Sequence, residues 1–79
     1  MKDLLSHILI GITGKDTSIE ETDDSNGFTI FKVTLPKEDI GLVIGRSGKT
    51  INAIKNILKI MAIKEDRRID VEIAEENAN

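Results

Sequence analysis

Two glycines, Gly45 and Gly48, interrupt what would otherwise be one long apolar helical pattern, and this break constrains the chain more than any other feature. The stretch Ile40 to Ile51 reads IGLVIGRSGKTI. Upstream, Pro36 suits the first turn of a helix, with Glu38 and Asp39 near its positive end, and the spacing predicts a short helix over 37–44. Downstream, a second helix is predicted over 49–64, with Ile51, Ile54, Ile57, Leu58, Met61 and Ala62 on a broad apolar arc. An arc wider than the usual stripe must pack against a sheet and a further helix, or against a partner.

The other elements follow from periodicity. Leu4, Leu5, Ile8, Leu9 and Ile12 mark a helix over 2–13, and Gly14 is its stop. Residues 17–22 read as a weak strand, and Asn26-Gly27 is a tight-turn signal. Residues 28–35, FTIFKVTL, form a strand with Phe31, Val33 and Leu35 facing the core. Phe28, Ile30, Lys32 and Thr34 fall on its other face. Residues 67–73 alternate as a third strand, with Ile69, Val71 and Ile73 inward. Residues 74–79, AEENAN, read as a flexible polar tail. The fold class is α+β, in the order α-β-β-α-α-β, with three helices on one face of a three-stranded sheet.

At 79 residues the chain is expected to be a single domain over 1–79, its core about residues 2–73. So small a domain buries only about 60% of its unfolded surface, so the core is thin. Cysteine is absent, which excludes disulfides and thiolate metal sites. The only His, His7, has no second ligand nearby in sequence and marks no metal site. No run approaches the roughly 20 apolar residues of a membrane span. The first residues, Met1-Lys2-Asp3-Leu4-Leu5, lack the marks of a signal peptide, so a cytoplasmic protein is the expectation.

The net charge of −3 disfavours nucleic acid until its distribution is considered. Residues 1–40 carry four Lys against eight Asp and Glu, and residues 69–79 carry four acids and no base. Residues 41–68 carry seven Lys and Arg against two acids, a local +5 around the glycine pair. A phosphate responds to that local field rather than to the total.

Glycines let a ligand approach the backbone closely. A turn that feeds a helix N-terminus presents unpartnered N–H groups and a positive dipole. Gly45, Arg46, Ser47 and Gly48, with Lys49 beside them, therefore form a phosphate-binding arrangement. A plain connection between two helices would use the same glycines, so the bare spacing is weak evidence.

The surroundings strengthen it. Val43 to Ile51, VIGRSGKTI, resembles the VIGxxGxxI signature of KH domains, and the element order resembles their type II arrangement. The likeness covers about residues 2–73 and is closest to the small stand-alone bacterial KH proteins of the KhpA family, the lead-in Glu38-Asp39-Ile40-Gly41 included. The resemblance implies that single-stranded RNA is held by its sugar-phosphate backbone at the GxxG, over about four unpaired nucleotides. Gly45, Arg46, Ser47, Gly48 and Lys49 would hold phosphates, Gly41 would keep the groove open, and Ile40 and Ile44 would supply apolar surface. It also implies an RNA-binding regulator or chaperone, and a homodimer or a heterodimer with a larger KH-containing protein. No cofactor, metal or membrane is implied.

Two other readings are weaker. Gly48-Lys49-Thr50 ends like a P-loop, but the first glycine of that motif would fall on Val43, and the chain lacks room for the parallel sheet. Enzymatic chemistry has few candidates, because Glu20, Glu21, Asp23 and Asp24 are simply solvated at a strand end. The stronger alternative is a protein-interaction module in which nucleic-acid binding is incidental, a reading the acidic balance favours.

Overall fold

The structure is a computed structural model and describes residues 1–76. Its elements are α1 (Lys2–Thr13), β1 (Ser18–Asp23), β2 (Phe28–Leu35), α2 (Lys37–Ile44), a 3-10 turn (Arg46–Gly48), α3 (Lys49–Lys64) and β3 (Arg68–Glu75). This is the α+β order expected of a type II KH fold. Among the described residues no helix is long and apolar enough to cross a membrane.

The sheet has the order β1-β2-β3. β2 pairs antiparallel with β1 and parallel with β3, with Phe31 opposite Glu21 on one side and Val71 on the other. As the central strand, β2 buries every second residue: Thr29, Phe31, Val33 and Leu35. The helices cover that face. Leu5 and Leu9 of α1, Val43 of α2, and Ile51, Ile54, Leu58 and Ala62 of α3 meet Phe31, Ile69 and Val71 in one aliphatic core. The parallel connection from β2 to β3 is the α2–turn–α3 segment, so the glycine turn lies midway along the crossover.

Three details differ from the sequence reading. The β1–β2 loop spans four residues, 24–27, because Asp24 closes it: its Oδ1 accepts from the N–H groups of Asn26 and Phe28 at 2.8 and 2.9 Å. β3 runs on to Glu75 because β2 offers partners as far as Leu35. Ala74 and Glu75 therefore belong to the sheet rather than to a flexible tail; residues 77–79 of that expected tail lie outside the described residues. On α3 four of the six arc residues, Ile51, Ile54, Leu58 and Ala62, are buried, leaving Ile57 and Met61 exposed.

Two polar devices tie the elements together. Asp39, buried in the first turn of α2, is met by Lys15 Nζ at 2.8 Å, the one partner of its Oδ2 among the described residues. Hydrogen-bonding contact with Asp39, then its negative charge, raises the Lys15 ammonium above its ordinary value. At the opposite end, the buried Thr29 hydroxyl donates to Asp23 Oδ1 and accepts from Arg67 Nη2 at 2.7 Å. Arg67 also has Glu21, Asp23 and Glu65 carboxylates within 3.9 Å. The carboxylate run of β1 thus anchors the α3–β3 corner, and among the described residues no group of three ligands could hold a metal.

Thr29→Val keeps the β-branched shape and removes both hydrogen bonds. It should lower the unfolding free energy by about 1–2 kcal/mol, read from urea denaturation with an unchanged slope.

Candidate nucleic-acid interface

The turn is built by backbone conformations that few residues accept. Gly45 closes α2 at φ 76°, ψ 173°, its N–H donating to the Gly41 carbonyl at 2.9 Å. A Cβ at this position would lie 2.8 Å from Thr50 Cβ and 2.9 Å from Thr50 N, so both the conformation and the space demand glycine. Ser47 sits at φ 57° and Gly48 at φ 76°, two successive left-handed residues that reverse the chain into α3. At Gly48 the demand is conformational only, since a Cβ there would meet nothing closer than 3.7 Å.

This geometry delivers the N-terminus of a 16-residue helix to the surface with no side-chain cap. The Lys49 N–H donates back to the Arg46 carbonyl, no side chain occupies the N–H groups that follow, and the dipole adds positive potential at the same point. Arg46 and Lys49 flank it, both exposed, and among the described residues neither has a carboxylate within 4.0 Å. Ser47 is exposed at the tip and leaves its hydroxyl free to reach a phosphate oxygen.

From this turn a furrow runs between α3 and the outer edge of β3. Ile44, Ile51 and Lys55 form the helical wall, and Asp70 to Ala74 form the strand wall. Lys55 Nζ reaches across to Asp70 Oδ1 at 3.5 Å, with both side chains partly exposed (30% and 41%). The walls therefore differ in sign: a cation stands on the helix, and Asp70 and Glu72 stand on the strand.

The expected site residues separate into two groups. Gly45, Arg46, Ser47, Gly48 and Lys49 come together at the turn, and Ile44 lines the furrow beside it. Ile40 is half-buried against the core, and Gly41 is exposed on α2 with open space where a side chain would project. Sequence reasoning missed Lys55, Asp70 and Glu72 as furrow residues. Asp70 and Glu72 were legible only as the polar half of an alternating strand; that β3 is an edge strand facing α3 is a property of the sheet order.

The model of the KhpA/KhpB KH domain matches residues 2–73. The chain belongs to this family of KH domains. It is a family of non-enzymatic RNA-binding proteins. Relatives include the RNA-binding protein KhpA of Chlamydia trachomatis, 33% identical over 96% of this chain and 99% of its own length. That of Halalkalibacterium halodurans is 31% identical over 92% of this chain and 97% of its own. That of Listeria monocytogenes is 39% identical over 71% of this chain and 70% of its own. No solved structure matches.

Within this KH domain the two glycines should respond differently. Gly45→Ala adds a clash with Thr50 to an unfavourable φ and should destabilise by more than about 2 kcal/mol. Gly48→Ala, which adds only the left-handed penalty, should lose about 1–2 kcal/mol. Thermal or urea unfolding of the pair checks the order.

Proposed function

We propose that this chain binds single-stranded RNA by clamping the sugar-phosphate backbone at Gly45-Arg46-Ser47-Gly48, as a cytoplasmic RNA-binding regulator or chaperone built on one KH domain over about residues 2–73. The observation that carries this reading is the meeting of a helix N-terminus without a side-chain cap with two cations, Arg46 and Lys49, that have no carboxylate partner among the described residues, at the head of the α3–β3 furrow. The relatives' name as RNA-binding proteins supports the ligand class.

The charge asymmetry of the furrow sets the strand's orientation. Phosphates are repelled by Asp70 and Glu72 and attracted by Arg46, Lys49 and Lys55, so the backbone runs along the helical wall. Bases then turn toward β3, over the partly buried Ile44 and Ile73, where the edge strand offers backbone donors and acceptors. Aliphatic contact takes the place of aromatic stacking.

Gly41 fits the same picture. A glycine within a helix costs about 0.5–1 kcal/mol relative to alanine. Here a Cβ would meet no protein atom within 4 Å, one turn before the clamp. Close approach of the RNA backbone is a reason for its absence.

A second reading concerns assembly and rests on α3. Ile57, Ile60 and Met61 share one face of the helix and are 47%, 59% and 40% exposed. Three large apolar side chains at such spacing suit self-association or pairing with a larger KH-containing protein. Ile60→Glu should convert a dimer to a monomer in sedimentation equilibrium while leaving the fold intact; a wild type that stays monomeric at high concentration would sink this reading.

The RNA reading is tested by titrating labelled single-stranded RNA against wild type and Arg46→Asp/Ser47→Asp at several salt concentrations. Wild type should bind with a log–log salt slope of about −2, from about three phosphate contacts, and the double variant should lose at least about tenfold. Gly41→Ala should unfold later yet bind RNA more weakly. Equal binding by wild type and the double variant would remove the clamp from the mechanism.

A further inference from the structure

The furrow does not end at the Lys55–Asp70 pair. Lys55 and Lys59 lie one turn apart on α3, and past the Lys55–Asp70 pair the space between α3 and β3 opens again. This second basin has a volume of about 310 Å³, shares Asp70 with the first, and reaches the corner where α3 hands over to β3. Its lining is apolar: the buried Ala62 and Ile69 lie at its base, and the exposed Ile63 and the half-buried Phe28, one of the chain's two aromatic residues, at its sides. Its rim carries Lys59 and Arg68, neither of which has a carboxylate within 4.0 Å among the described residues. Arg67 is also at the rim, but Glu21, Asp23 and Glu65 occupy it.

We propose that this basin is a second RNA subsite, which seats one further base beyond the clamped segment while Lys59 and Arg68 hold its phosphate. The proposal rests on the clamp reading above and extends it. Three features on the same wall argue for RNA as the occupant. The basin continues the furrow in the direction in which α3 leads the backbone. Its free cations match a phosphate, whereas the chain as a whole is acidic. Its size lies at the small end of ligand pockets, about 300–1,000 Å³, and suits a single planar base against one aromatic ring and aliphatic neighbours. The Lys55–Asp70 pair then stands between the two subsites as a post that a strand passes on the helical side.

The consequence is a length dependence. Single-stranded oligonucleotides of increasing length, about four nucleotides upward, would be titrated against wild type and Lys59→Gln/Arg68→Gln. Neutral substitutions remove the phosphate partners without reversing the field at the clamp. Wild-type affinity should rise by about tenfold beyond the clamped length, and the rise should vanish when the added nucleotide is abasic. The double variant should bind the shortest oligonucleotide as wild type does and show no rise. Ile63→Ser, at a position 72% exposed and so safe for folding, should reduce the rise through loss of an apolar wall alone.

A wild type with no length gain, or a gain that survives in the double variant, overturns the subsite and leaves the clamp standing. Binding of oligoglutamate that the double variant loses, or a change of oligomeric state in that variant without a change in the length series, assigns the basin to a protein instead. Failure of every oligonucleotide to bind wild type removes the clamp, and the subsite with it.

Discussion

The contact between Gly45 and Thr50 is the constraint from which the rest of the structure follows. The backbone leaves α2 in a conformation reserved for glycine, and the absent side chain lets the first turn of α3 close against it. Only that closeness allows two helices to be joined by four residues, Gly45 to Gly48, and still lie on one face of the sheet. The parallel pairing of β2 with β3 depends on this crossover, and the furrow exists because β3 returns as an edge strand beside α3. One steric demand thus fixes both the topology and the place where a ligand meets an open helix N-terminus.

A net acidic chain can carry such a site because its charges are segregated by element. β1 places Glu21 and Asp23 around Arg67 at the far corner, where they serve packing. Asp39 is taken up by Lys15 beneath α2. The acids that remain beside the furrow, Asp70 and Glu72, stand on one wall only. In the proposed binding mode they would weaken overall attraction to a polyanion, yet would keep phosphates off the strand side and confine the backbone to the helix side. Selectivity of orientation is gained where nonspecific affinity is lost.

Much of this was legible in the sequence, for identifiable reasons. Strict alternation in FTIFKVTL determined which side of β2 is buried, and the uninterrupted 3.6-residue pattern of 49–64 gave α3 to the residue. The glycine pair located the turn because glycine adopts those positive-φ angles at the least cost. What the pattern could not show depends on who stands opposite. Thr29 alternates correctly with Phe31, but its role comes from Arg67, 38 residues away. Glu75 joins the sheet only because Leu35 ends a strand of matching length. The apolar arc of α3 reads as uniform, whereas the sheet covers Ile54 and Leu58 and stops short of Ile57 and Met61.

The uncovered edge of the arc and the furrow lie on the same helix, and this links assembly to binding. Ile51, Ile54 and Leu58 hold α3 to the sheet. Lys55 and Lys59 face the furrow side, while Ile57 and Ile60 are exposed to solvent. A core this thin leaves α3 held chiefly by its buried stripe, so a partner seated on the exposed stripe would restrain the helix that forms the clamp's N-terminus and the furrow's wall. Ordering lost on RNA binding would already have been met by assembly, and the two events would favour each other without any change of shape. The same reasoning makes the coupling reciprocal: RNA that stiffens α3 from the furrow would strengthen the association on its other side.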